Sequence, residues 1–273
     1  ETGSGKTHAF IIPIIENLQL DSDRLQALII TPTRELAQQI YAFLEAFKGD
    51  YPKLHARLFT AGKETERTFR QGMRVPHVII GTPTRIKTML EAKSLIDLGS
   101  VKTLVLDEAD MLMEMGYFAD IDIIYRLLKA PPQMMVFSAT IEFNLRKNLE
   151  KYVGADFVIE MDDVKTAKTV GHHAIDVKHG DRLHAIEIFI KTLNPYLLII
   201  FASRKEQVAT ISSYLKSAGH DNIMLHGDMS ARERKSAYKL IGANKHRLIV
   251  ASDLAARGLD SKDVSEVLNF DLP

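Results

Sequence analysis

Cysteine is absent from all 273 residues, so disulfides and cysteine-held metals are excluded, and a cytoplasmic location is the expectation for such a chain. No apolar run approaches the roughly eighteen residues that a membrane-spanning helix needs, so no membrane partner is expected. An excess of one charge sign is missing too. The 35 Lys and Arg are matched by 35 Asp and Glu, leaving no global basic character to attract nucleic acid, so any such surface must be local. Divided after residue 163, the first part has 19 basic against 23 acidic side chains, net −4, and the second 16 against 12, net +4. Low-complexity stretches are also lacking, and at 46% hydrophobic the chain is long enough for two ordinary cores.

What is present is one alternation, repeated. Short apolar or β-branched runs at Ala27 to Thr31, Arg57 to Thr60, His77 to Gly81, Val101 to Leu106 and Met134 to Phe137 are separated by helical patterns such as Arg34 to Phe47 and Ile121 to Leu128. Near-continuous apolar strands between amphipathic helices predict a parallel sheet covered on both faces. The polar stretch from Asp162 to Thr169 has neither period and reads as a linker. The alternation then resumes: a strand at His173 to Lys178, a helix from Arg182 to Leu193, a strand at Leu197 to Phe201, and a helix from Lys205 to Lys216. A strand at Ile223 to Leu225, a helix from Ala231 to Leu240 and a strand at Leu248 to Ala251 follow. The expected fold class is α/β, as two parallel sheets flanked by helices and joined by a short tether.

The opening run Glu1-Thr2-Gly3-Ser4-Gly5-Lys6-Thr7 has the spacing of a phosphate-binding loop leading into a helix from Ala9. In that reading Gly3 and Gly5 let the backbone approach a polyphosphate, Lys6 meets the β and γ oxygens, and the Thr7 hydroxyl holds Mg²⁺. The competing reading of Gly-Ser-Gly is a plain flexible turn. The chain shows no initiator methionine and no strand ahead of the loop, so it is expected to be an interior piece of a longer protein.

Ligands of open parallel sheets bind off the carboxyl ends of strands. Four polar clusters fall there: Pro32-Thr33-Arg34, Thr82-Pro83-Thr84-Arg85, Asp107-Glu108-Ala109-Asp110 and Ser138-Ala139-Thr140. A carboxylate ending a strand beside a phosphate loop suits Mg²⁺, mostly through water, which assigns Asp107; Glu108 is then placed to deprotonate the water that attacks the γ-phosphate. A solvated acidic turn capping the next helix is the alternative.

These clusters, with Gly3 to Thr7 and the run Ala251 to Asp260, occur in the order of the DEAD-box RNA helicases, which the chain resembles over its whole length, most nearly the bacterial cold-shock-type members. The resemblance implies two RecA-like domains at 1–163 and 173–273 with a linker at 164–172, the first truncated at its N-terminus and the second ahead of its arginine-finger motif. It implies an ATP-dependent RNA helicase with ATP and Mg²⁺ as cofactors. Thr2, Gly3, Ser4, Gly5, Lys6 and Thr7 would bind ATP with Asp107 and Glu108, and Gly258 and Asp260 would approach it from the second domain. Pro32, Thr33, Arg34, Gly62, Thr82, Pro83 and Arg85, continued by Arg204, Gly227, Ser252 and Asp253, would contact RNA. Ser138 and Thr140 would couple nucleotide state to strand separation, against a competing role as helix caps.

Hydroxyl, guanidinium and amide donors without an evident aromatic platform suit backbone contacts indifferent to base sequence. Taken singly, Arg34 and Arg85 each read as a surface charge or a helix salt-bridge partner. Where the family usually has two glycines the chain has Gly62-Lys63; Thr84 replaces a usual glycine, and Ala231 stands where glutamine is common ahead of Arg234. His172, His173 and His179 read as surface or packing residues, and Met111, Met113 and Met115 as packing residues. Without its flanking motifs the segment is expected to be a poor ATPase, since a positioned arginine contributes about 10³ to 10⁵ in phosphoryl transfer. A DNA helicase of the same superfamily, a P-loop kinase or small-molecule ATPase, and a non-catalytic RNA clamp are the rival readings.

Overall fold

The computed structural model describes residues 5–60, 74–91, 97–153, 170–177, 180–242, 246–252 and 264–271. The chain divides into two compact units, Glu1–Met161 and Asp162–Pro273.

In the first unit, α1 (Lys6–Asn17) leads to β1 (Ala27–Ile30), α2 (Arg34–Ala46) and β2 (Ala56–Phe59). Then come β3 (Val78–Gly81), α3 (Pro83–Glu91), β4 (Thr103–Leu106), α4 (Ala109–Glu114), α5 (Phe118–Leu127), β5 (Gln133–Val136) and α6 (Phe143–Val153). The five strands form one parallel sheet in the order β2-β3-β1-β4-β5. β1, β3 and the last three residues of β4 are buried, as strands covered on both faces must be. Alternate residues feed two cores. Leu28, Ile30, Ile79, Leu104 and Leu106 pack with Ile86, Leu112, Ile121, Ile124 and Leu145 of α3 to α6. Ala27, Ile29, Val78, Ile80 and Val105 pack with Phe10, Ile14, Ile40 and Leu44 of α1 and α2.

The second unit contains α7 (Arg182–Leu193), β6 (Leu198–Ala202), α8 (Lys205–Ser217), β7 (Ile223–Leu225), α9 (Ala231–Gly242), β8 (Leu248–Ser252) and β9 (Glu266–Asn269). Its parallel sheet has the order β7-β8-β6-β9. Again two cores flank the sheet, one with Ile186, Ile190, Val208, Ile211 and Leu215 of α7 and α8, the other with Ala237 and Ile241 of α9.

The predicted alternation is therefore present in both units, with element ends either matching or shifted by up to three residues. One strand is not. Residues 173–177, read as part of a strand at His173 to Lys178, carry no secondary structure, and His172, His173 and Ile175 are exposed. Among the described residues no strand pairs with this segment, and an unpaired strand has no stability of its own. Lys178 and the linker at 164–169 lie outside the described residues. Conversely, β9 was not anticipated, because Glu266-Val267-Leu268-Asn269 at the sheet edge mixes polar and apolar side chains.

Candidate active site

All five strands of the first sheet end in register. Phe59 faces Gly81, Gly81 faces Ile30, Ile30 faces Leu106, and Leu106 faces Val136. The residues that follow, Thr31, Thr60, Thr82, Asp107 and Phe137, thus share one edge. Gly81 makes that edge possible. A Cβ there would sit 2.1 Å from the carbonyl oxygen of Phe59, which no side chain tolerates.

α1 begins at this edge. Gly5 precedes it with φ +84°, in the left-handed region that favours glycine, while a Cβ at that position would meet nothing within 4 Å. In the ligand-free chain the demand on Gly5 is thus conformational. Lys6, the first helical residue, places Nζ 3.7 Å from Oε1 of Glu108, both side chains being partly buried. Two residues 102 positions apart in sequence are therefore partners.

Asp107 is 4% exposed. Burial and the adjacent Glu108 carboxylate push its pKa up to about 6, against the opposing pull of Lys6 and of the Glu108 amide, which donates to Oδ1 at 3.1 Å. Ladder bonds hold the strand end: Asp107 N–H donates to the Ile30 carbonyl and Ala109 N–H to that of Phe137. Between these anchors Glu108 takes φ 51°, ψ 56°, a left-handed conformation costing a non-glycine residue about 1–3 kcal/mol. The turn aims the Glu108 side chain at Lys6.

A divalent cation fits this donor set. Asp107 is a desolvated carboxylate with one hydrogen bond to a backbone amide, so a cation would neutralise the charge that burial penalises. Thr7 stands in the first turn of α1. Among the described residues no group of three His, Cys, Asp or Glu is gathered.

Asp110 was given no role in the sequence reading, yet it ties the acidic turn to the segment after β5. Its amide donates to Ser138 Oγ at 3.1 Å, and its Oδ2 accepts from Thr140 N–H and Thr140 Oγ1, both at 3.2 Å. Ser138 Oγ in turn donates to the Thr140 carbonyl at 2.6 Å. Both hydroxyls thus engage each other's segment and Asp110. The signal available in sequence was the last acidic residue of the Asp107 to Asp110 run, with nothing to name its partner.

The remaining first-unit residues line the same edge. Pro32 is buried, Thr33 Oγ1 accepts from Leu36 N–H at 3.3 Å and caps α2, and Arg34 opens that helix. Thr82 donates its amide to Phe59 and accepts from Arg85 and Ile86 at the start of α3, where Pro83 needs no donor. Arg34 and Arg85 make no ion pair among the described residues, and Arg85 Nε is buried without a partner. In the second unit, Arg204, Gly227 and Ser252 lie at or just past the carboxyl ends of β6, β7 and β8, a shared edge by register. Arg234 donates to the carbonyls of His226 and Gly227 at 3.3 and 3.4 Å and braces that turn. Thr2, Gly3, Ser4, Gly62, His179, Asp253, Gly258 and Asp260 lie outside the described residues. So does Lys63. Met111 is buried, as a packing role requires. No helix among the described residues is long and apolar enough to cross a membrane.

A family model described as DEAD/DEAH box helicase matches residues 1–148, and one described as helicase conserved C-terminal domain matches residues 181–273. The DEAD-box ATP-dependent RNA helicase CshB of Bacillus subtilis is 37% identical over 276 residues, covering 100% of this chain and 63% of that protein. The RNA helicase CrhR of Synechocystis is 33% identical, covering 100% of this chain and 55% of the relative. Among solved structures, S. cerevisiae Dbp5 bound to RNA and ADP BeF3 aligns with a TM-score of 0.81 at 28% identity, over 99% of this chain and 68% of that one. The chain thus spans less than two thirds of the length of these curated relatives.

Proposed function

The chain belongs to the DEAD/DEAH box helicase family, with RecA-like parallel sheets, and on that premise we propose that the complete protein is an ATP-dependent RNA helicase. The observation that carries the reading is the approach of Lys6 to Glu108, 3.7 Å, beside the buried Asp107 and at the sheet edge where α1, α2 and α3 all begin. Three helix N-termini favour anions there.

In this reading Gly5 and Lys6, with Thr2, Gly3 and Ser4 ahead of them, receive the polyphosphate of ATP. Thr7 and Asp107 would hold Mg²⁺, which when bound would offset the phosphate charge. Glu108 leaves its contact with Lys6 once phosphate oxygens replace it, and takes the proton of the water that attacks the γ-phosphorus as the bond from that phosphorus to the bridging oxygen breaks and ADP leaves. Arg34, Thr33, Thr82 and Arg85, with Pro32, Pro83 and Gly62, receive RNA phosphates and sugars on the first domain (1–163). Arg204, Gly227, Ser252 and Asp253 do so on the second (173–273), and Gly258 and Asp260 meet the nucleotide from there. Ser138 and Thr140, through Asp110, pass the state of the acidic turn to the RNA surface. ATP and RNA each touch both domains, so each strengthens the other's binding by favouring closure, which bends one strand and opens a short duplex. The setting is the cytoplasm.

RNA-stimulated ATPase and strand separation by the full-length protein, with RNA and DNA duplexes side by side, test the reading. Lys6→Ala and Glu108→Gln are each expected to lower turnover at least a hundredfold, Glu108→Gln with ATP binding retained. Unwinding that persists in Lys6→Ala, or equal stimulation by DNA, would overturn it.

A further inference from the structure

Helix α3 carries Thr82, Pro83 and Arg85 at its start, and its attachment to the rest of the unit is asymmetric. On the sheet side the Thr82 amide is held by the Phe59 carbonyl at 3.2 Å. On the other side, besides the core packing of Ile86, one carboxylate of α5 bonds the first turns. Asp120 Oδ2 accepts from Thr84 Oγ1 at 2.5 Å, and Asp120 Oδ1 pairs with Lys87 Nζ at 2.5 Å. Thr84 and Lys87 are three residues apart, so they share one helix face and meet the carboxylate together. Asp120 lies in the first turn of α5, where the helix dipole favours its charge.

The ion pair is half-sunk, the side chains of Lys87 and Asp120 being 22% and 17% exposed, while Thr84 is exposed. Burial alone would raise the Asp120 pKa, but the hydrogen bonds from Lys87 and Thr84 outweigh it and hold the group below its ordinary value. The carboxylate is thus a fixed anion bonded to two points of α3. Meanwhile Arg85, one residue beyond Thr84, keeps a buried Nε without a partner. Among the described residues the Arg85 guanidinium has no ion pair, while its backbone N–H donates to the Thr82 carbonyl in the turn that Thr84 and Lys87 flank.

We propose that Asp120 is a positioning residue for nucleic-acid binding, which through Thr84 and Lys87 fixes the first turn of α3 so that Thr82 and Arg85 are pre-set for phosphate. This rests on the RNA-helicase reading. Holding the turn beforehand removes an ordering cost from the binding step, so its loss weakens RNA affinity and leaves the chemistry at Glu108 unaltered. Thr84 is then more than a tolerated replacement for glycine, because its hydroxyl is one of the two bonds.

The test uses the full-length protein, a single-stranded RNA oligonucleotide and saturating ATP. Asp120→Ala is expected to raise the RNA concentration for half-maximal ATPase roughly threefold to tenfold, with kcat at saturating RNA within about twofold of wild type. Thr84→Val should show a smaller rise, and Thr84→Ser should restore the wild-type value. Arg85→Ala is the control for the underlying reading. If Arg85→Ala leaves RNA half-saturation unchanged, the RNA surface itself is misassigned and the inference falls with it. If Arg85→Ala weakens RNA while Asp120→Ala and Thr84→Val lower only the unfolding midpoint, the role of Asp120 is structural and the inference alone is overturned. Should Asp120→Ala fail to fold, the Thr84→Val and Thr84→Ser pair decides.

Discussion

Replacing Asp107 by asparagine should make the ligand-free protein more stable while abolishing its proposed use. The folded pKa of about 6 lies above the ordinary 3.8, so the folded state prefers the protonated carboxyl. A raised folded pKa contributes no penalty below the unfolded value. Stability is then lost as pH rises through the window from about 4 to 6, where the folded form binds more protons, and the loss is complete above pH 7. At about 1.4 kcal/mol per tenfold, the gap between 3.8 and about 6 amounts to about 3 kcal/mol. Asparagine is nearly isosteric, keeps an oxygen for the Glu108 amide and has no charge to desolvate. In chelator and without nucleotide, Asp107→Asn is therefore expected to gain about 3 kcal/mol at pH 8, or roughly 6–12 °C in the unfolding midpoint of the first unit, and almost nothing at pH 4. Adding Mg²⁺ and ATP should raise the midpoint of the wild type and not that of the variant. Thermal or urea unfolding across pH reads both. An asparagine variant less stable than wild type, or a gain that does not change with pH, would refute the reasoning.

Gly81→Ala brings a Cβ to 2.1 Å from the Phe59 carbonyl oxygen, so β2 and β3 must part and the Thr82 to Phe59 bond is strained or lost. Overpacking and one backbone hydrogen bond together predict a loss of about 3 kcal/mol, and a midpoint unchanged to within about 2 °C would contradict it. At the opposite end of the same strands, His77 is fully buried, its Nδ1 accepts from His55 N–H at 3.1 Å, and burial lowers the pKa of both imidazoles. A depressed base stabilises above its unfolded pKa of 6.5 and loses that stability as pH falls below it. Wild type should therefore lose more stability than His77→Gln between pH 7.5 and 5.5; parallel losses in a denaturant titration would argue against this.

The amino-acid sequence alone determined that there are two parallel α/β layers and which clusters stand behind their strands, because strand and helix periods and strand-end residues are local signals. Ala27 to Thr31 needed only its own apolar run to be recognised, and Arg182 to Leu193 only its helical pattern. The site was legible as a set of residue types at one sheet edge. Tertiary structure decided which of them touch. The order β2-β3-β1-β4-β5 is not the order of the chain, so the meeting of Lys6 with Glu108, of Asp110 with Ser138 and Thr140, and of Thr84 and Lys87 with Asp120 depends on crossovers that no local period encodes. The same reason explains the one strand that failed: His173 to Lys178 has the alternation of a strand, but pairing is a property of two segments, and among the described residues none pairs with it.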